Sequence, residues 1–480
     1  MLRIVTIVLV ALQLACGFAR PANTARPPNV LFLLTDDQRP DTIHALGNAT
    51  IDTPHLDALV RAGTTFTRAV TAHPLCYPSR AEILTGCTGF TNGLPYGSGL
   101  NPKLVLWPEA MRRAGYHTCY TGKWHTPGKP TTRGYDLSRG LYAGGGGAEN
   151  TPALDPRGRA ITGYRGWVFQ EDDGRKYPER GVGLTPDISR RFADAAIEFL
   201  TSRRAAKDER PFFLHVNFTA PHDPRLLPPG YETRYDPAKM TLPANFKPEH
   251  PFDHGNARGR DEVLLPFPRT PEDIRTELAV YYALISDLDS QVGRVLATLE
   301  VSGEAENTIV IYSSDHGLAL GSHGLTGKQN MYEHTIGVPL VMRGPGIPKN
   351  VRNPAQCYLR DLYPTVCELA GVPVPDTVEA TSVAPVLRGE KQQIHDAVVT
   401  YFADSQRAIR TDRFKLIRYP KINREQLFDV VNDPDELRNL ASDPAHAATV
   451  AELRTRLAAW QRDQHDPLLT TGERRKGNGE

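Results

Sequence analysis

Acidic residues in two short segments of the sequence have the chemistry of a metal site. Asp36 and Asp37 stand side by side after a short apolar run, and Asp315 and His316 follow a second one. Adjacent aspartates alone more often cap a helix or form a solvated turn. Two such segments, each directly after a predicted buried strand, favour a hard, oxygen-rich site that suits Ca²⁺, with Mg²⁺ as the alternative. His316 is the unusual member, because imidazole is not a favoured ligand of calcium.

Other reactive side chains also follow predicted strands. Lys123 and His125 come after the apolar run Thr118–Tyr120, and His222 comes after the run Phe212–Phe218. Taken singly, a histidine or a lysine is more often a surface or core residue than a ligand. Open α/β sheets, however, place their sites at the carboxyl ends of the strands. Four segments far apart in the sequence are therefore predicted to converge on one crevice.

Cys76 opens the most specific motif in the chain. The segment reads Cys76-Tyr77-Pro78-Ser79-Arg80, and Leu84-Thr85-Gly86 follows it at a fixed distance. A lone cysteine is usually a small buried hydrophobe. This pattern, however, resembles the signature of the type I sulfatases: a cysteine, any residue, Pro-Ser-Arg, three residues and Leu-Thr-Gly. Every fixed position is present. The resemblance implies that a modifying enzyme oxidises Cys76 to formylglycine after translation.

The resemblance to this family covers nearly the whole chain, and it is weak only in two long insertions. Further blocks similar to the family are Asn29 to Gln38, Gly122-Lys123-Trp124-His125, Ala220-Pro221-His222, Ser314-Asp315-His316-Gly317, Leu427-Phe428-Asp429 and Asn432-Asp433-Pro434. The implied fold is that of the alkaline phosphatase superfamily. It is an α/β fold with a mainly parallel central sheet flanked by helices and a smaller C-terminal α+β domain.

The resemblance also implies a role for each position of the site. Hydrolysis of a sulfate ester needs a cation clamp, a nucleophile and a proton donor for the leaving oxygen. One hydroxyl of the hydrated formylglycine binds the metal and attacks sulfur, and the other then expels the sulfate. The implied metal positions are Asp36, Asp37, Cys76, Asp315 and His316. The other implied roles are His125 as base, Arg80 and Lys123 as holders of the formylglycine oxygens and sulfate, Lys328 as a sulfate-binding residue, and His222 as a sulfate contact or proton donor.

The sequence indicates the substrate less clearly than it indicates the reaction. The stretch from Asp315 to Gly324 is similar to the branch that contains iduronate sulfatases and many bacterial polysaccharide sulfatases. A sulfated carbohydrate is therefore the first expectation, followed by aryl sulfates or choline sulfate. One alternative is a phosphodiesterase or phosphonate monoester hydrolase of the same superfamily, some of which also use formylglycine. Another is a non-catalytic carbohydrate-binding relative, which would be free to lose the Cys76 motif or the carboxylates, yet all are present.

Composition and the N-terminus exclude other classes. Of 480 residues, 40% are hydrophobic and 23% charged, which excludes a mainly disordered, collagenous or coiled-coil protein. Lys and Arg number 56 against 55 Asp and Glu, so no overall field favours nucleic acid or an anionic membrane.

Arg3, the apolar run Ile4 to Ala15 and Gly17-Phe18-Ala19 predict a signal peptide and an exported protein, periplasmic or extracellular, or secretory if eukaryotic. The run is too short to span a membrane. Gln13 stands where a lipobox has an aliphatic residue, which argues against lipid attachment at Cys16.

Strand-like runs that alternate with amphipathic helices predict a parallel sheet covered on both faces. The predicted domains are a signal peptide (1–19), a catalytic domain (28–388), a C-terminal α+β subdomain (389–468) and a polar tail (469–480). Two long segments, Gly140–Gly183 and Pro224–Pro271, are predicted to be loops that form functional rims. Disulfide pairing among Cys87, Cys119, Cys357 and Cys367 and glycosylation of the Asn-X-Thr residues Asn48 and Asn217 are left open.

Overall fold

The structure of the protein, a computed structural model, describes residues 26–97 and 99–469. The predicted signal peptide, Cys16 and nearly all of the predicted polar tail lie outside these residues. Within the described ranges, no helix combines the length and the apolar character that crossing a bilayer requires.

The described residues form thirteen strands and ten α-helices. The strands are β1 Asn29–Thr35, β2 Thr64–Val70, β3 His117–Lys123, β4 Leu137–Ala143, β5 Val168–Gln170, β6 Phe212–Asn217, β7 Thr308–Ser314, β8 Leu340–Arg343, β9 Val351–Tyr358, β10 Val398–Phe402, β11 Gln406–Arg410, β12 Phe414–Tyr419 and β13 Arg424–Asp429. The helices are α1 Pro54–Ala62, α2 Cys76–Thr85, α3 Gly89–Asn92, α4 Trp107–Arg113, α5 Ile188–Ala205, α6 Pro271–Val301, α7 Glu333–Ile336, α8 Leu362–Ala370, α9 Ala384–Leu387 and α10 Ala447–Asp463.

A large sheet carries the strand order β5-β4-β3-β6-β1-β7-β8-β2-β9. β1 lies at its centre, pairs in parallel with β6 and β7, and is buried at every residue. β5 and β8 run antiparallel to their neighbours, whereas the other pairs are parallel. A strand buried on both faces needs an apolar run rather than an alternating one, which explains the sequence of β1. The predicted mainly parallel α/β fold is confirmed.

Helices cover both faces of this sheet. On one face, Leu31 and Leu33 of β1 pack in a core with α5 and α6. On the other face, Phe32 packs in a core that includes Trp107 of α4 and residues of α2 and α8. The long α6 begins at a capping box, in which Thr270 Oγ1 accepts a hydrogen bond from the Asp273 amide (3.1 Å) and the Asp273 carboxylate accepts one from the Thr270 amide (3.0 Å).

A second, antiparallel sheet follows in the order β10-β11-β12-β13. One face of it packs against α10 through Val450, Leu453 and Leu457. The other face meets the catalytic part of the chain, where Tyr332 and Tyr401 share a core. The predicted boundary at residue 389 falls between α9 and β10.

The sequence analysis did not identify several strands of the large sheet. The predicted loop segment Gly140–Gly183 contains the end of β4 and all of β5, so that part of the expectation is wrong. β5 has only three residues and lies at the sheet edge, where no long apolar run is needed. The second predicted loop, Pro224–Pro271, contains only two short 3₁₀ turns before α6 begins.

The structure bears on the disulfide pairing and the glycosylation that the sequence left open. Cys87, Cys119, Cys357 and Cys367 are all buried free thiols, so the structure contains no disulfide among them. Asn217 is buried at the end of β6, where a folded chain offers no room for a glycan.

Candidate active site

The strand ends of the large sheet build the site. β1 ends at Thr35, immediately before Asp36 and Asp37, and β7 ends at Ser314, immediately before Asp315. Backbone hydrogen bonds fix these ends relative to one another: the Asp36 amide donates to Ala220 O (3.1 Å) and the Asp315 amide donates to Thr35 O (3.2 Å). The residues that follow β1, β6 and β7 therefore meet at the carboxyl edge of these adjacent strands, as expected for an open α/β sheet.

Cys76 is the first residue of α2 and only 4% of its surface is exposed. Its Sγ lies 3.3 Å from Asp36 Oδ1, 3.3 Å from His316 Nε2 and 3.4 Å from Lys328 Nζ. Burial raises the pKa of the thiol, but the nearby cations Lys123, Lys328 and His316 outweigh burial and hold it well below the usual value. The position thus suits a reactive group that carries negative charge.

The candidate metal ligands form two overlapping groups rather than one. Asp36, Cys76, Asp315 and His316 each offer a ligand atom, and these atoms lie within 4.8 Å of one another. Asp37 belongs to a second group, with Cys76 and His222, although its Oδ1 is also 3.4 Å from His316 Nδ1. All of these residues are buried.

The charges at this cluster fit a divalent cation. Burial and the neighbouring Asp36 carboxylate raise the pKa of Asp315 to about 7. Burial lowers the pKa of His316, but Asp315 and Cys76 outweigh it and raise that pKa to about 9. Burial and the closeness of Asp36 and Asp315 thus favour protonation at this cluster, and a cation placed between the carboxylates would relieve the same repulsion. The carboxylate donors suit a hard cation such as Ca²⁺ or Mg²⁺.

Three buried cations surround the carboxylates. Arg80 Nε donates to Asp315 Oδ2 (3.0 Å) and Arg80 Nη1 donates to Asn217 Oδ1 (2.6 Å). Lys123 Nζ is 2.5 Å from Asp36 Oδ2, and Lys328 Nζ is 2.7 Å from the carboxylate of Asp37. Lys123 and Lys328 line the same cavity as Cys76, so together they can bind an anion placed against residue 76.

Two histidines complete the site. Burial lowers the pKa of His125, whose ring contacts the indole of Trp167 edge-on at a centroid distance of 5.2 Å. Burial also lowers the pKa of His222, but the Asp37 and Asp223 carboxylates outweigh it and raise the pKa above the usual value. One histidine is therefore suited to accept a proton and the other to donate one.

The site opens into a cavity of about 200 Å³. Cys76, Lys123, His125, His222 and Lys328 line it, together with residues that the sequence analysis did not name: Thr162, Tyr164, Trp167, Arg260 and Asp261. These unpredicted residues come from the two segments predicted as rims. The Tyr164 hydroxyl donates a hydrogen bond to Asp36. The sequence offered only the residue types of these segments, their aromatic residues and arginines, as a signal for the cavity lining. Nothing in the sequence distinguished the lining residues from the rest of each segment.

A larger cavity of about 400 Å³ lies between the two sheets. Most of its charged lining residues are already engaged in ion pairs, such as Arg410 with Glu333 (2.6 Å) and Arg68 with Asp412 (3.4 Å). The chemistry of the side chains, rather than volume, therefore identifies the smaller cavity as the active site.

A buried nucleophile position among carboxylates, three cations and two histidines is suited to hydrolysis of an anionic ester. Together with the mainly parallel nine-stranded sheet, this site defines a hydrolase with the alkaline phosphatase-like α/β fold.

Comparisons with known proteins identify the family of hydrolases to which the chain belongs. The sulfatase family model matches residues 28–372, and the model for the C-terminal part of N-sulphoglucosamine sulphohydrolase matches residues 321–463. The chain therefore belongs to the sulfatase family and is a sulfuric ester hydrolase.

Its relatives have several substrates. The chain is 29% identical over 460 residues to an arylsulfatase of Clostridium perfringens, covering 89% of this chain and 93% of the relative. It is 28% identical over 551 residues to an N-acetylglucosamine-6-O-sulfatase of Bacteroides thetaiotaomicron, covering 97% and 93%. A protein solved with its substrate D-glucosamine-2-N,6-O-disulfate superimposes with a TM-score of 0.74 at 25% identity, covering 92% of this chain and 99% of that one. A phosphonate monoester hydrolase from Silicibacter pomeroyi gives a TM-score of 0.73 at 27% identity, covering 92% and 96%.

Proposed function

We propose that the protein is an exported sulfatase that removes O-sulfate groups from a sulfated carbohydrate. In this proposal Cys76 is converted to formylglycine by a modifying enzyme of the host, and one divalent cation, Ca²⁺ or alternatively Mg²⁺, completes the site. Export rests on the N-terminal sequence, whose charged start, apolar run and small residues are typical of a signal peptide.

The position of Cys76 Sγ is the observation that supports the nucleophile most directly. The sulfur lies within 3.4 Å of a carboxylate, an imidazole and an ammonium group at the start of a helix. In formylglycine, oxygens bonded to the same carbon would occupy this space. Such a group supplies two hydroxyls on one carbon, so one can accept the sulfuryl group and the other can allow its release.

Asp36, Asp37, Asp315 and His316 are the residues that would hold the cation, with residue 76. A bound divalent cation would supply positive charge to the nucleophilic oxygen and to the sulfate oxygens. The buried carboxylates and the raised pKa of Asp315 support this assignment, because a cation between Asp36 and Asp315 would relieve their mutual repulsion.

The remaining side chains have roles that follow from their contacts. Lys123 and Lys328 are the closest ammonium groups to the anion position, and Arg80 holds Asp315 in place. His125 accepts a proton when the sulfate is released, because its pKa is lowered by burial. His222 carries a proton toward the leaving oxygen.

A carbohydrate substrate is supported by the relatives and by the cavity. One relative that matches nearly the whole chain is named an N-acetylglucosamine-6-O-sulfatase, and one structure that covers 92% of this chain was solved with a sulfated glucosamine. Trp167 is half-buried, lines the cavity and offers an aromatic surface for a sugar ring.

The test combines one activity panel with one chemical measurement. Protein from a host that makes formylglycine is assayed on sulfated oligosaccharides, an aryl sulfate, choline sulfate, a phosphodiester and a phosphonate monoester. Mass spectrometry of the tryptic peptide Ala69–Arg80 reports whether the Cys76 side chain has become an aldehyde. We expect turnover of a sulfated sugar by aldehyde-bearing protein and none by Cys76→Ser or Cys76→Ala. Cys87→Ala, which removes another buried thiol close to the end of α2, is the control.

Two results would contradict the proposal. An unmodified Cys76 in fully active protein would exclude the formylglycine mechanism. Faster turnover of the phosphonate monoester than of every sulfate ester would favour the activity of the structurally similar phosphonate monoester hydrolase.

A further inference from the structure

The ring of His222 is held at its Nδ1 side by the next residue in the chain. His222 Nδ1 lies 2.6 Å from the carbonyl oxygen of Asp223 and 3.2 Å from its carboxylate Oδ1. The other ring nitrogen, Nε2, faces the site and lies 3.8 Å from Asp37 Oδ2. An Nδ1 proton directed at Asp223 would leave Nε2 as the nitrogen that faces the substrate.

Arg260 holds Asp223 in place. Its Nη1 and Nη2 donate to the two carboxylate oxygens of Asp223 at 2.8 and 2.9 Å, a bidentate pair. Asp223 is only 6% exposed, so a carboxylate at this position needs such a partner. Asp223 Oδ1, which accepts from Arg260 Nη2, is the carboxylate oxygen that lies 3.2 Å from His222 Nδ1. The two contacts therefore form one continuous chain from Arg260 to the imidazole.

The arginine belongs to the rim of the cavity rather than to the strand ends. It comes from the segment Pro224–Pro271, lines the cavity, and retains about a third of its side-chain exposure. Its Nη1 also donates to Thr162 Oγ1 (3.1 Å), which belongs to the other rim segment, and it pairs with Asp261. Arg260 thus links both rim segments to a histidine of the site.

We propose that Arg260 and Asp223 are positioning residues for proton donation by His222 to the leaving oxygen. This inference rests on the role of His222 in the proposed function. As the S–O bond breaks, its electron pair stays on the leaving oxygen, which takes the proton from His222 Nε2. The imidazole becomes neutral and keeps its Nδ1 proton, which remains directed at Asp223. The sulfuryl group passes to the oxygen at residue 76.

The dependence of the rate on the leaving group distinguishes this role from a structural one. A nitro-activated phenol leaves without protonation, whereas an unactivated phenol or a sugar hydroxyl needs a proton in the transition state. For Arg260→Ala and Asp223→Asn we expect kcat/KM on 4-nitrophenyl sulfate to change by less than about threefold. On phenyl sulfate and on the sugar sulfate we expect a fall of about tenfold or more. Arg260→Lys should recover part of the loss.

The control is Arg258→Ala, which removes an exposed arginine of the same segment that stacks on Phe267. It should leave the leaving-group dependence unchanged. Because each variant is compared with itself on different esters, a lower fraction of folded protein cannot produce the expected pattern. A loss of equal size on every ester, or no loss on any, would overturn the inference.

A second measurement does not depend on turnover. With ¹⁵N-labelled histidine, the Nδ1 proton of His222 is identified by its absence in His222→Asn. We expect its chemical shift to change in Arg260→Ala and in Asp223→Asn, because the charge at 3.2 Å is displaced or removed while the backbone carbonyl at 2.6 Å still accepts the proton, and to stay the same in Arg258→Ala. An unchanged signal in the first two variants would also overturn the inference. If the wild type hydrolyses none of the sulfate esters, the proposed function fails, and this measurement alone decides whether Arg260 and Asp223 position the ring.

Discussion

Replacing Asp315 by asparagine is expected to remove the cation while leaving the fold intact. The amide keeps the shape of the side chain but removes one unit of negative charge from a fully buried position. Arg80 loses its partner at 3.0 Å but keeps the Asn217 contact at 2.6 Å and a carboxylate of Asp36 at 3.9 Å. Because burial and Asp36 already raise the pKa of Asp315 to about 7, a neutral side chain is well tolerated there in the absence of a cation.

The magnitude follows from the spacing of the ligand atoms, which lie within 4.8 Å of one another. A pair of unit charges about 4 Å apart interacts by roughly 4 kcal/mol at the effective dielectric constant of a protein site. Since about 1.4 kcal/mol corresponds to a tenfold change in affinity, the loss of one carboxylate charge should weaken calcium binding by at least roughly a thousandfold. Sulfatase activity should fall in parallel at any calcium concentration below saturation.

The assay is titration calorimetry of chelator-stripped protein with Ca²⁺, with circular dichroism and a thermal unfolding midpoint as tests of folding. Asp289→Asn is the matched control, because Asp289 is a buried aspartate that caps α1 away from the site. Calcium affinity of the Asp315 variant within tenfold of the wild type would refute the charge argument. Stoichiometric zinc essential for activity, without calcium or magnesium, would refute the choice of cation.

Three further predictions concern binding and stability. Lys328→Ala should lower kcat/KM for sulfate esters by about 10²- to 10³-fold, because the buried ammonium faces the anion position; steady-state kinetics against the exposed control Lys239→Ala check this. Trp167→Ala should raise KM for a sugar sulfate by roughly tenfold, the equivalent of about 1–1.5 kcal/mol of ring stacking, with Trp167→Phe intermediate, and an unchanged KM would exclude the sugar contact. Burial raises the folded-state pKa of Asp289 to about 6, above its unfolded value, so its contribution to stability is complete at low pH and is lost as the pH rises toward 6. The thermal midpoint of Asp289→Asn should therefore rise relative to that of the wild type as the pH rises from about 4 to 7. A difference between the two midpoints that does not change with pH would contradict this.

The central strands and the residues at their ends were predictable from the sequence. β1, β3, β6 and β7 are buried on both faces, so each needs a short apolar run, and such runs are visible without any structure. The reactive residues follow these strands directly, and parallel strands bring their carboxyl ends to one edge. Topology alone therefore predicted that Asp36 and Asp315 would be neighbours despite their separation in the sequence.

The rim of the cavity was not predictable in the same way. Tyr164, Trp167 and Arg260 belong to segments with little regular periodicity, and no spacing rule relates them to the strand ends. Their positions depend on tertiary contacts, such as the hydrogen bond from Arg260 to Thr162 (3.1 Å) and the contact of Tyr164 with Asp36. In the proposed function the rim would contact the body of the substrate, which explains why the sequence specifies the reaction better than the substrate.

The charge balance of the site explains how the fold holds so many buried ions. Three carboxylates and three permanent cations lie together below the cavity: Asp36, Asp37 and Asp315 with Arg80, Lys123 and Lys328. Their formal charges cancel, so no single ion is buried without a partner. A divalent cation alone would leave this cluster with excess positive charge, and a sulfate monoester alone would leave it negative. Binding of each would therefore favour binding of the other, and occupation of the metal site would be coupled to recognition of an anionic substrate.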